Sequence, residues 1–212
     1  MRTPAGLKRT RERRGEKMKL KIGVMGSASS KMTDRHKKMA YALGRAIALQ
    51  DCITITGACP GFPLEAAQGA KEAGGLVVGI SPGLSLWEHL RKYGSPAEYH
   101  DVLIFTGSGL MGREVVNIRS SDIVVIMGGR SGTLGEFSIA YDEGKLIGVL
   151  MGTGGITEEM KQIIKVIRKT TGSKVIYDSN PARLVRKLLV YYTKEHFRHP
   201  SCHHGRRMRR EG

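Results

Sequence analysis

The sequence predicts an α/β fold: a Rossmann-like three-layer sandwich built on a parallel sheet of about seven strands. Two observations predict it. Short apolar runs rich in Val and Ile alternate with longer amphipathic segments over residues 19–195, the order that makes a parallel sheet covered by helices on both faces. Glycines, 28 in 212 residues, cluster where those runs end, as tight strand-to-helix turns require.

Taken in order, residues 20–26 (LKIGVMG) form an apolar run that stops at glycine. Residues 34–50 place Met39, Leu43 and Ile47, with Ala40 and Ala46, at helical spacing. Residues 52–57 (CITITG) are β-branched, 63–75 read as a short helix closing in Gly-Gly, and 76–81 form a third strand. Segment 82–101 is less regular and carries Ser85 and Glu88 at capping-box spacing. A fourth strand spans 102–107, a helix 109–121, and a strongly apolar fifth strand 122–128. Residues 132–144 read as a helix ending at a glycine C-cap, and 146–151 as the sixth strand. Helix 157–172 has acidic residues first and basic ones last, matching its macrodipole. Strand 174–178 and helix 180–197 complete the pattern. The connections are expected to be right-handed.

The net charge of +16 sits mostly at the ends. Residues 1–21 hold nine Lys/Arg against two Glu, and residues 196–212 five Arg against one Glu. Both ends are poor in apolar residues, so 1–18 and 196–212 are expected to be disordered tails, with any nucleic-acid binding confined to them. Met18, just before the first strand, is an alternative start of translation. Three cysteines in no CxxC pair argue against a disulfide framework. His196, His199, Cys202, His203 and His204 are metal-ligand types at short spacing in a tail that nothing orders. No metal and no cofactor is expected in the core. No apolar run reaches membrane-spanning length and no secretory signal is visible, so a cytoplasmic protein is the default.

In doubly wound sheets, ligands bind beyond the carboxyl ends of the strands. That selects Gly26-Ser27, Gly57 to Pro63, Gly107 to Arg113, and Gly128 to Glu136. Glycines allow close approach of a ligand, and a following helix presents unpaired N–H groups and a positive dipole end. Gly128, Gly129, Gly132 and Thr133 therefore read as a phosphate cradle, with Gly26, Ser27, Gly57 and Gly61 as weaker ones. The Walker pattern is absent, and a mononucleotide or phosphosugar is the expected ligand. The fork of Arg113 suits phosphate, and on spacing alone it is equally a surface arginine. Thr133 and Glu136 have capping-box spacing, so Glu136 is either a helix cap or a carboxylate aimed at a bound sugar.

The stretch MGREVVNIRSSDIVVIMGGRSGTLGE, 111–136, resembles the signature region of the LOG family, once labelled lysine decarboxylase-like. Arg113 falls on the motif arginine, Asp122 on the strand aspartate, and Gly129, Gly132, Thr133 and Glu136 on the second motif. Gly128 stands where the motif has proline, Arg130 where it has glycine, and Glu114 where it has lysine. The resemblance runs over about residues 20–150. It implies a nucleoside 5′-monophosphate phosphoribohydrolase, with Arg113 and Glu136 catalytic and the glycines and Thr133 on the phosphate. TGSGLMGREVVNIRSSDIVV and TGACPGFPLEAAQGA are closer to the molybdenum cofactor carrier branch, which binds a phosphate-bearing pterin without cleaving it. Lysine decarboxylation is rejected, because it needs a pyridoxal-phosphate lysine in a suitable setting. The resemblance also implies a homodimer or larger homo-oligomer.

Overall fold

All seven apolar runs become strands of one sheet, and every neighbouring pair is parallel. The computed structural model describes residues 18–28 and 32–196. The strands are β1 (Lys21–Gly26), β2 (Ile53–Thr56), β3 (Val77–Ser81), β4 (Val102–Phe105), β5 (Ile123–Met127), β6 (Leu146–Leu150) and β7 (Lys174–Asp178). The helices are α1 (Asp34–Ala48), α2 (Phe62–Glu72), α3 (Gly109–Arg119), α4 (Ser131–Asp142), α5 (Ile156–Ile167) and α6 (Pro181–Tyr191).

The strand order is β4-β3-β2-β1-β5-β6-β7. The chain winds outward in one direction from β1 through β4, then returns to pair β5 on the other side of β1. The order therefore reverses between β1 and β5, which opens a crevice at their carboxyl ends. Asp122 fixes this return: its carboxylate accepts from the Lys21 backbone N–H at 2.8 Å and from Lys21 Nζ at 2.7 Å. That contact lies at the amino ends of β1 and β5, so the motif aspartate holds the sheet together far from the crevice.

Successive side chains of a strand point to opposite faces. Ile123, Val125 and Met127 of β5 enter a core with Leu43, Ile47, Leu184 and Leu188, while Val124 and Ile126 pack with Ile118, Phe137 and Met160. Helices α1, α2 and α6 thus cover one face and α3, α4 and α5 the other, the predicted three layers. Burying each such side chain contributes roughly 1.5–3 kcal/mol.

Three boundaries differ from expectation. The helix expected to run to 172 ends at Ile167, with Arg168 left-handed at φ 48° before the β-branched pair Thr170-Thr171. The last helix gives way after Tyr191 to a π-type turn, Tyr192–His196. In segment 82–101, Ser85 Oγ accepts from the Glu88 N–H at 3.3 Å, and the Glu88 carboxylate accepts from Leu84 rather than from Ser85, at 2.9 Å. This near-box starts only a single π-type turn, Glu88–Lys92.

Strand β4 is an edge strand with apolar side chains in solvent: Val102, Ile104 and Phe105 are all exposed. Trp87, at 69% exposure, and Met111, at 70%, are exposed as well. The basic ends, 1–17 and 197–212, and with them the side chains proposed above as tail metal ligands, lie outside the described residues. No described helix is long and apolar enough to cross a membrane.

Candidate functional site

A cavity of about 310 Å³ opens at the carboxyl ends of β1, β2 and β5, at the reversal of strand order. Gly26 and Ser27 line it from β1, Gly57 and Cys59 from β2, and Arg113 and Glu114 from α3. Arg130, Ser131, Gly132, Thr133 and Glu136 line it from the turn after β5 and the start of α4. Seven of the ten residues selected from the sequence therefore meet on one wall. The other three, Gly61, Gly128 and Gly129, are not on it.

Those three shape the chain behind the wall. Gly61 is the N-cap of α2, with φ 81°. Gly128 and Gly129 turn the chain from β5 into α4 with φ of 56° and 93°, a region that side-chain-bearing residues rarely adopt. The Gly128 N–H already donates to Thr153 Oγ1 at 2.8 Å, and the Gly129 carbonyl accepts from Ile156 at 3.1 Å. Their backbone groups brace the turn against the loop after β6. Ser131 to Thr133 form the first turn of α4, whose N–H groups have no partner within the helix.

The early turn corrects the capping reading of Thr133 and Glu136. A capping box needs its Ser or Thr just outside the helix, in extended conformation. Because Gly128-Gly129 turn the chain sooner, α4 starts at Ser131, its N-cap is Arg130, and that cap makes no side-chain hydrogen bond. Thr133 is the third residue of the helix, and Glu136 lies beyond its first turn. Glu136 caps nothing, although it is only 6% exposed.

Arg113 is also buried, at 7% exposure, and it explains Gly57. A methyl group added at Gly57 would overlap the Arg113 guanidinium. The strand end thus gives up a side chain so that the guanidinium can cross the cavity floor. Arg113 Nε has no hydrogen-bond partner among the described residues, and neither does Glu114 Oε2. Buried polar atoms without partners are uncommon in folded proteins, and here both belong to side chains on the cavity wall. Burial, partly offset by Arg113 and reinforced by Glu114, holds the Glu136 carboxyl at about 8, so it is protonated at neutral pH. Burial also raises Glu114, again opposed by Arg113. The Cys59 thiol is pushed by burial up to about 11, with Arg113 opposing and Glu136 adding, so it stays neutral rather than becoming a thiolate nucleophile.

Sequence reasoning selected the loop that carries Cys59 without singling that residue out, and it missed Glu114 as a wall residue. Glu114 did stand out as a carboxylate where the related motif has lysine. Among the described residues, no group of three or more His, Cys, Asp or Glu is placed to hold a metal ion.

The family model described as the SLOG cluster4 family matches residues 19–185, which contain the whole cavity wall. The chain belongs to the SLOG cluster4 family. Among solved structures similar to this SLOG protein, TM1055 has a TM-score of 0.70 and 27% identity, over 82% of this chain and 99% of that one. The molybdenum cofactor binding protein of Rippkaea orientalis has a TM-score of 0.66 and 30% identity, over 82% and 97%. The molybdenum cofactor carrier protein of Chlamydomonas reinhardtii has 0.64 and 30%, over 82% and 99%. These likenesses agree with the seven-stranded Rossmann-like fold.

Proposed function

We propose that the cavity binds a nucleoside 5′-monophosphate and hydrolyses its N-glycosidic bond. The observation that carries this reading is the pair Arg113 and Glu136, both buried, both on one cavity wall, with Glu136 free of any capping role. The phosphate is placed at the first turn of α4, where unpaired N–H groups and the dipole favour an anion. Thr133 and the Arg113 fork add donors. Cleaving the bond moves its electron pair to the base, so a proton donor at the base lowers the barrier, typically by a factor of about 10²–10⁴. A protonated Glu136 is that donor, and once ionised it steadies the positive charge developing on the sugar.

The test is base release from AMP and other nucleoside 5′-monophosphates, followed by chromatography. Free base that disappears in Glu136→Gln supports the reading, and no release from any nucleotide sinks it. Arg113→Ala is expected to weaken AMP binding about 10- to 100-fold, the worth of a charge-assisted hydrogen bond of roughly 1.5–3 kcal/mol. Unchanged affinity would place the phosphate elsewhere.

One observation favours a second reading, a carrier of a phosphate-bearing ligand. Glu114 puts a carboxyl at the position of the motif lysine, and two solved structures that match this chain along nearly their whole length are a molybdenum cofactor binding protein and a molybdenum cofactor carrier protein. Saturable molybdopterin binding without base release would establish it. In either case the protein is proposed to be a homo-oligomer, with the exposed apolar residues of β4, Trp87 and Met111 as the self-contact. Trp87→Glu is then expected to lower the mass measured by sedimentation to that of a monomer, and an unaltered mass would clear this face.

A further inference from the structure

The cavity holds a second carboxyl, and the hydrolytic reading needs a group that nothing above supplies. Protonating the base uses one acid. Activating the water that attacks the sugar uses one base, and a protonated Glu136 cannot be both at once.

Glu114 has the placement for it. The residue is in α3, directly after Arg113, and its side chain crosses to α4. A Cβ added at Gly135 would lie 3.1 Å from Glu114 Oε2, and one at Gly132 3.5 Å from Oε1. The two glycines therefore leave room for this carboxyl against the first turns of α4, beside Glu136. Its side chain lines the cavity, it is 6% exposed, and its Oε2 has no partner among the described residues. A buried carboxyl oxygen without a partner is costly and uncommon in a folded protein.

We propose that Glu114 is a catalytic residue that works with Glu136: Glu136 protonates the departing base, and Glu114 accepts the proton of the attacking water. This rests on the hydrolytic reading. The C1′–N bond breaks and its electron pair goes to the base nitrogen, which takes the Glu136 proton. The water oxygen bonds to C1′, and the proton it loses goes to Glu114. Free base and ribose 5-phosphate leave, and return of the proton from Glu114 to Glu136 resets the pair. No other reactant is required.

The environment separates the two roles. The charged and titratable groups facing the pair are Arg113 from α3, Arg130 from the turn before α4, and Cys59 from the loop after β2. Burial holds Glu136 up to about 8, with Glu114 adding to the rise, while Arg113 opposes the burial that raises Glu114; the proposed division puts the proton on Glu136 and the charge on Glu114. Two carboxyls set apart by their surroundings are the arrangement by which glycoside hydrolysis divides acid from base.

The experiment is the rate of base release from AMP between pH 5 and pH 9 for the unaltered protein, Glu114→Gln, Glu114→Asp and Glu136→Gln, with AMP affinity measured alongside. The unaltered protein is expected to give a bell: slower in acid as Glu114 takes a proton, slower in base as Glu136 loses one. Glu114→Gln should lose at least about 100-fold in rate and lose the acid-side fall, while binding AMP as well or better. Glu114→Asp should keep the acid-side fall, which a merely structural role would not predict. If Glu114→Gln does not fold, Glu114→Ala replaces it with the same expectation. Base release that survives Glu114→Gln at an unchanged rate and profile overturns this inference alone. No release by the unaltered protein overturns the hydrolytic reading and this inference with it.

Discussion

Glu136→Gln is expected to abolish base release and, above neutral pH, to make the protein more stable. The rate loss is placed at about 10²–10⁴-fold, because an amide has the shape of the carboxyl and no acidic proton to give. The stability gain follows from burial. In the unfolded chain this carboxyl ionises near 4.5, and in the folded protein at about 8. Between those values the folded state holds a proton that the unfolded state has released, so folding stability falls as pH rises through that window. Below about 4.5 the group costs nothing, and above about 8 the cost is constant. At roughly 1.4 kcal/mol per pKa unit the full cost is on the order of several kcal/mol. The difference in thermal midpoint between Glu136→Gln and the unaltered protein should therefore be small at pH 5, widen to pH 8 and then level off. Midpoints that stay parallel at all pH values would show that the carboxyl is not buried in this way. A variant that fails to fold would restore the helix-cap role that the start of α4 argues against.

Gly44→Ala is expected to destabilise the protein by about 1–3 kcal/mol, although alanine is the better helix former by about 1 kcal/mol. Gly44 lies in α1 and Gly69 in α2. A methyl group at Gly44 would overlap the Ala66 carbonyl, and one at Gly69 would overlap the Tyr41 carbonyl. The two helix backbones therefore touch at reciprocal positions, and backbone cannot step aside as the end of a long side chain can. The buried residues around the contact, Ala40, Ala66, Ala67 and Ala70, are small as well. For a chain of this size the thermal midpoint should fall by roughly 2–4 °C per kcal/mol. Gly69→Ala should behave alike, and the double substitution should cost less than the sum, since one separation of the helices relieves both clashes. A midpoint raised by Gly44→Ala would mean that helix propensity, not close packing, governs this position. The contact also bears on the site. Helices α1 and α2 follow the two strand ends that carry Ser27 and Gly57, so spreading them disturbs the cavity wall.

Much of this was legible in the chain itself. Apolar runs of five to seven residues separated by amphipathic segments are a local signal, and each run became a strand within a residue or two. The strand-end rule then reached Gly26, Ser27, Gly57, Arg113, Gly132, Thr133 and Glu136 without any knowledge of strand order. Where local reading went astray, a local pattern had two physical meanings. Thr133 and Glu136 fit a capping box by spacing, but the left-handed turn at Gly128-Gly129 moved the helix start upstream. Gly44 and Gly69 drew no reading from the sequence, and they are the positions where α1 and α2 meet. Glu114 looked like a lost lysine, and its carboxyl reaches the cavity through space left by Gly132 and Gly135.

By itself, then, the sequence determined the layered α/β architecture and the glycine-lined strand ends, because periodicity and turn chemistry act between residues close along the chain. Only the tertiary structure decided that β5 pairs with β1, and with it that Cys59, Arg113, Glu114 and Glu136 share one buried space. Those side chains are up to 77 positions apart in the chain, and the crevice that joins them exists only where the winding of the sheet reverses. Burial in that crevice is also what protonates Glu136, a property of the assembled wall that no stretch of the chain carries alone.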